Sequence, residues 1–223
     1  SVDVADINGN GRAEIFASRV TKTTVTSVVV EWEKGTLRPL VKQSPWFFRV
    51  MDWPKKGRIL VGQQKMPGSA GGYANLIRDY FESGIFELTW SGADYVKSGE
   101  EPLLNMPRVF VYNFAIGDLG EDAAPEIVVI DRNDRLHVMT AQGDPLHEGS
   151  DYYGGTLNYI VTNPADSAGS EKTLDEQWLY IPARIIIADL DRNGKNEVII
   201  NRNKAVTRAM ERFMAFSDGS IVS

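Results

Sequence analysis

Short runs of alternating apolar and polar residues recur along the chain with the same punctuation. "VVVEWEKGTLRPLV" (Val28 to Val41), "IFELTWSGADYV" (Ile85 to Val96), "LHVMTAQGDPLH" (Leu136 to His147) and "RFMAFSDGSIV" (Arg212 to Val222) each read as strand, turn and return strand. The turns carry Gly35, Gly92, Gly143 and Gly219. A period of two bounded by a glycine-containing turn predicts an antiparallel hairpin. Two segments break the period. Tyr73, Leu76, Ile77, Tyr80 and Phe81 keep helical spacing, and so do Val206, Ala209, Met210 and Phe213 within 204–213. Each predicts a short amphipathic helix packed on its own sheet.

Ahead of each hairpin lies a second recurring stretch. "VADINGNGRAEIFAS" (Val4 to Ser18) aligns with "IADLDRNGKNEVIIN" (Ile187 to Asn201), both running from an Asp through Asp/Asn, Asn and Gly to a Glu and an apolar strand. A decayed copy begins at Ala115, and a fainter one, "RVMDWPKKGRILVGQ", begins at Arg49. The leading residues are Asp6, Asp52, Asp118 and Asp189, at intervals of 46, 66 and 71. Pro45 and Pro182 each stand seven residues before a leading Asp, which fixes the register. Four units result, at approximately 1–44, 45–106, 107–181 and 182–223, each spelling strand, Asp loop, strand, link, strand, Gly turn, strand. Four antiparallel strands repeated four times predict an all-β fold, a single β-propeller of about four four-stranded blades or part of a larger one, with short helical insertions. The uneven spacing is placed in insertions, the longest at Lys65 to Gly84 and Asp151 to Gln177.

Composition narrows the function. The 223 residues carry a formal net charge of -6 and no run of basic residues, which argues against a nucleic-acid surface. No apolar stretch reaches the ~18 residues that a spanning helix needs. With no Cys there is no disulfide, thiolate metal site or cysteine nucleophile. The chain starts at Ser1, inside a motif, so it reads as a piece of a longer protein with any signal or anchor out of view.

The Asp loops carry the candidate chemistry. A calcium loop needs several hard oxygen donors converging on one point, and a Gly where the chain turns. The last copy offers Asp189, Asp191, Asn193, the Lys195 carbonyl and Glu197 at every second position, with Gly194 at the turn. The first offers Asp6, Asn8, Asn10, the Arg12 carbonyl and Glu14. An EF-hand is excluded, because its twelfth position must be a bidentate Glu, and here Ile200 and Ala17 stand there. The competing reading is a metal-free turn, since Asp, Asn and Gly cap local backbone unaided. Two complete copies at equivalent points favour the metal.

These loops resemble the FG-GAP or VCBS-type repeat of the integrin α-subunit propeller and of many bacterial surface and secreted proteins. The resemblance runs through the chain at repeat level, although only two of the four loops match in full. It implies a loop between the first two strands of a blade that binds Ca²⁺ in a structural role. The third copy keeps Asp118, Asp122 and Glu126, with Gly120 and Ala123 displacing a ligand and the turn glycine, and is expected to be a weaker site. The second, with Trp53 and Lys55 at ligand positions, is expected to be metal-free. Calcium modules that bind at roughly 10⁻⁴ to 10⁻³ M are extracellular ones, so a periplasmic, cell-surface or secreted location is expected.

Little in the sequence builds an active site. His137 and His147 read as ordinary surface histidines, no Gly-x-Ser-x-Gly elbow is present, and "GSAGG" (Gly68 to Gly72) lacks the Lys of a phosphate loop. Some polysaccharide lyases, rhamnogalacturonan lyases among them, use similar calcium-loop propellers, which keeps a lyase as the alternative. The favoured expectation is a non-catalytic binding module for a protein or carbohydrate ligand. Trp53, Tyr152 and Tyr153 are the candidate contact aromatics, on loop position. "PWFF" (Pro45 to Phe48) reads as packing between sheets.

Overall fold

The computed structural model describes residues 1–20, 24–66, 80–120, 124–156, 158–161 and 178–202. These residues form an all-β protein built on three four-stranded antiparallel sheets. The first sheet runs β1 (Val2–Ala5), β2 (Glu14–Ala17), β3 (Ser27–Glu33) and β4 (Thr36–Ser44) in chain order. The second holds β5 (Trp46–Trp53), β6 (Gly57–Gln64), β7 (Phe86–Trp90) and β8 (Tyr95–Lys97), and the third β9 (Phe114–Gly117), β10 (Glu126–Ile130), β11 (Arg135–Thr140) and β12 (Pro145–Tyr152). Two antiparallel pairs follow, β13 (Tyr159–Val161) with β14 (Trp178–Tyr180) and β15 (Ile186–Ala188) with β16 (Glu197–Ile199).

The predicted hairpins at Gly35, Gly92 and Gly143 join β3 to β4, β7 to β8 and β11 to β12. At the first, Lys34 and Gly35 both have positive φ (49° and 84°), the twist that suits a two-residue hairpin. Residue 219 and both expected helices, save Tyr80 and Phe81, lie outside the described residues. Those two rings are buried in the core. The β13–β14 pair is an addition to the expected strands, with β13 inside the Asp151 to Gln177 insertion and β14 directly after it.

In the two middle sheets, β5, β6, β9 and β10 bury side chains on both faces, since successive side chains of a strand point to opposite sides. Trp46, Phe48 and Leu60 pack with Phe16, Val29 and Val41 of the first sheet. Their neighbours Phe47, Met51, Ile59 and Val61 turn the other way, toward Ile127 and Val129 of the third. Val128 and Ile130 then face Ile185, Ile187 and Val198 at the last pair. Successive sheets therefore stack face to face, with Trp46, Phe47 and Phe48 of "PWFF" between them as expected and Pro45 exposed. The outer face of the first sheet stays open: Val2, Val4, Trp32 and Leu37 are 63%, 59%, 59% and 55% exposed.

The leading strands meet at one side of these layers. Buried Arg49 of β5 donates to the carbonyls of Val111 and Phe114. Burial draws its pKa down to about 10. The Asp3 carboxylate of β1 accepts the Val50 N–H at 3.2 Å and pairs with Arg184, just ahead of β15, at 2.6 Å. Where β9 nears β15, Gly117 leaves so little room that an added Cβ would lie 2.8 Å from Ile187 Cγ2.

Candidate metal centre

All four Asp-led segments connect the first strand of a pair to the second, so they occupy equivalent points of their sheets. In the first loop, Asp6 Oδ1 accepts the N–H groups of Gly9 and Asn10 at 2.9 and 3.2 Å, and Oδ2 accepts that of Gly11 at 2.9 Å. Asn8 Oδ1 accepts the Asn10 N–H at 2.9 Å, and Asn10 Oδ1 accepts the Arg12 N–H at 2.8 Å. Gly9 and Gly11 have φ of 74° and 80°, a left-handed curl that side chains resist. The last loop repeats the pattern. Asp189 accepts the N–H groups of Asn193 and Gly194 at 3.0 and 2.9 Å, Asp191 accepts that of Asn193 at 3.1 Å, and Asn193 accepts that of Lys195 at 2.8 Å.

Capping of this kind alone does not make a metal site. Asp131, in the plain turn between β10 and β11, accepts the N–H groups of Asn133 and Arg135 at 2.7 and 2.9 Å without belonging to the repeat. The ninth-position carboxylate sets the Asp loops apart. Glu14, Glu126 and Glu197 each accept the backbone N–H of the second position, at 2.8, 2.7 and 2.7 Å from Ile7, Leu119 and Leu190. In each case it is Oε2 that closes the loop. In the last loop, oxygens of Asp189, Asp191 and Glu197 lie within 4.8 Å of one another. Calcium–oxygen distances of roughly 2.3–2.6 Å let one ion touch donors up to about 5 Å apart, so this separation fits. Hard oxygens without thiolate or imidazole also suit calcium rather than a softer metal.

In the third loop Asp118 Oδ1 is buried without a hydrogen-bond partner, and Asp122 lies outside the described residues. Asn196 of the last loop donates to the Asp118 carbonyl at 2.8 Å, which ties the two neighbouring loops together. The second copy is closed by its own cations instead. Arg58 holds both oxygens of Asp52 at 3.1 Å, and Lys56 reaches Glu87 at 2.6 Å.

The first loop contains a residue that the sequence reading missed. Glu31 of β3 is the direct cross-strand partner of Glu14. The two carboxylates are 1% and 0% exposed, and like charges placed opposite each other repel. Burial raises the Glu14 pKa, with the Asp6 charge adding to the rise. Hydrogen bonding from the Asn10 amide, assisted by Asn8, lowers that of Glu31 against its burial. The Tyr95 hydroxyl is buried against the Glu14 carboxylate, and Glu31 Oε2 is buried there without a hydrogen bond. The Tyr95 hydroxyl is also held above its ordinary pKa, first by burial and then by the Glu14 charge.

Two of the three candidate aromatics end strands, and Tyr153 follows directly after β12. Trp53 ends β5 and packs against the core; Tyr152 ends β12, 37% exposed, under the Arg135 guanidinium at 4.2 Å; Tyr153 donates its N–H to the Asp134 carbonyl at 2.8 Å. His137 lies 3.3 Å from Asp131 on β11, and His147 is exposed on β12.

No protein-family model, curated protein or solved structure matches this chain. Its reading rests on the loops themselves. Among the described residues no helix is long and apolar enough to cross a membrane.

Proposed function

We propose that the chain is a calcium-stabilised β-propeller, or part of one, of the FG-GAP/VCBS kind, acting outside the cytoplasm as a non-catalytic binding module for a protein or a carbohydrate. One observation carries the reading: the ninth-position carboxylate closes onto the second-position N–H in three equivalent loops, and in the last of them three carboxylates converge within 4.8 Å. Asp6, Asn8, Asn10, the Arg12 carbonyl and Glu14 would hold one calcium; Asp189, Asp191, Asn193, the Lys195 carbonyl and Glu197 would hold another. The ion supplies charge neutralisation and a fixed turn, and binding to the folded state alone stabilises it by mass action.

Face-to-face stacking of successive sheets supports the propeller, as does the Asp3–Arg184 pair, which joins the first leading strand to the approach of the last. The open apolar face of the first sheet supports the reading that further blades complete the ring. The Asn196–Asp118 bond joins two neighbouring loops, which supports a shared loop-bearing surface suited to recognition. The test is thermal unfolding in calcium and in excess EGTA. Calcium should raise the melting temperature, and Asp189→Ala should remove part of the gain; a melt that ignores calcium refutes the reading.

A further inference from the structure

We propose that the three Asn–Gly pairs of the chain are its sites of spontaneous deamidation, and that the leading aspartate of each loop holds that reaction back. The proposal is independent of calcium. The pairs are Asn8–Gly9, Asn10–Gly11 and Asn193–Gly194, and all of them lie in the two complete Asp loops. Deamidation starts when the backbone nitrogen of the following residue attacks the asparagine side-chain Cγ. That nitrogen loses its proton, ammonia leaves, and a cyclic succinimide forms. Water then opens the ring to aspartate or to isoaspartate, which adds a methylene to the main chain. Glycine in the second position favours the attack, since no Cβ obstructs the nitrogen.

The loop geometry obliges the sequence to carry this hazard. Gly9, Gly11 and Gly194 have φ of 74°, 80° and 88°. A Cβ added at any of them would meet no atom within 4 Å, so the left-handed backbone, and not lack of space, requires glycine. The asparagine before each is tied into the same turn. Asn8, Asn10 and Asn193 accept the N–H two residues on, at 2.9, 2.8 and 2.8 Å. Gly9, Asn10, Gly11, Asn193 and Gly194 are exposed, so water reaches these bonds.

The attacking nitrogen is already engaged in all three pairs. The Gly9 N–H donates to Asp6 Oδ1, the Gly11 N–H to Asp6 Oδ2 and the Gly194 N–H to Asp189 Oδ2, each at 2.9 Å. One carboxylate thus covers both pairs of the first loop, and its counterpart covers the pair in the last. The cover acts in two ways. The nitrogen must surrender a hydrogen bond to a charged acceptor before it can turn toward Cγ. The negative charge that develops on it as the proton leaves would also face the carboxylate at short range. At Asn10 and Asn193 the side-chain amide is tethered as well, to Glu31 and to Asp191.

The test follows deamidation at each asparagine by mass spectrometry of peptides, after the folded protein has stood in mildly alkaline buffer with EGTA. The EGTA keeps calcium out of the comparison, so the outcome is separate from that of the calcium test. Each loop is the control for the other. Asp6→Ala should speed the reaction at Asn8 and Asn10 by roughly 10-fold or more, the factor that one hydrogen bond to a charged group is worth, and leave Asn193 unchanged. Asp189→Ala should do the reverse. Asp6→Asn, which keeps an acceptor oxygen without the charge, should fall between. Unchanged rates in the altered loop overturn the proposal. So does an equal rise at all three sites, which would trace the reaction to general loosening of the fold. If Asp6→Ala does not fold, Asp6→Asn is read in its place. In the unaltered chain, equal rates with and without denaturing urea overturn the proposal on their own.

Discussion

Truncating two consecutive residues of β6 tests whether the sheets are stacked as described. Leu60 and Val61 are both 0% exposed, yet they face opposite ways, Leu60 toward the first sheet and Val61 toward the third. Leu60→Ala should cost about 3 kcal/mol, within the roughly 2–5 kcal/mol range for deleting a buried leucine side chain. Val61→Ala loses two methyl groups at about 0.8 kcal/mol each plus a cavity term, about 2–3 kcal/mol in all. In a chain of this size 1 kcal/mol moves the melting midpoint by roughly 2–4 °C, so Leu60→Ala should melt about 6–12 °C lower. Urea unfolding followed by tryptophan fluorescence gives both free energies. A sheet with one face in water would show one large cost and one within about 0.5 kcal/mol of zero. That outcome for either residue refutes the stacking.

Two further predictions concern packing and pH. Gly117→Ala should destabilise by about 1–3 kcal/mol through its clash with Ile187, and adding Ile187→Ala should recover part of that loss in a double-mutant cycle. Burial holds the Tyr80 hydroxyl up at about 12, and Tyr95 and Tyr112 are raised for the same leading reason. Their folded forms favour the proton, so the stability they contribute is complete below about pH 10, the ordinary tyrosine value, and is lost as pH rises toward the folded value. Absorbance titration should show delayed ionisation that appears together with alkaline unfolding; ordinary titration near pH 10 in the folded state would contradict it.

The strands and their loops were legible because they obey local rules. Alternation and glycine turns located three of the hairpins, and the Asp-to-Glu spacing located the loops between first and second strands. Burial of both sheet faces was partly legible, since "PWFF" and "IVVI" (Ile127 to Ile130) are unbroken apolar runs of the kind that doubly covered strands need. Glu31 escaped because its place opposite Glu14 depends on register across β2 and β3, which spacing along one strand does not reveal. A signal was nevertheless present. Strict alternation places Ser27, Val29 and Glu31 on one face, and that face is buried, so a carboxylate fell where water could not reach it. The β13–β14 pair escaped because each strand is three residues long and they are separated by a long polar segment. Trp53 and Tyr152 were placed in loops because strand ends are the least certain part of a pattern reading.

The central claim is that the Asp loops hold calcium, and paired melts in 10 mM calcium and in excess EGTA test it most directly. For sites binding at roughly 10⁻⁴ to 10⁻³ M, that concentration contributes about 1.4–2.7 kcal/mol each. Two filled loops should therefore raise the melting temperature by about 6–20 °C, and Asp189→Ala should remove about half of the rise. Identical melts with and without calcium would mean that Asp6 and Asp189 are turn caps only, as Asp131 is.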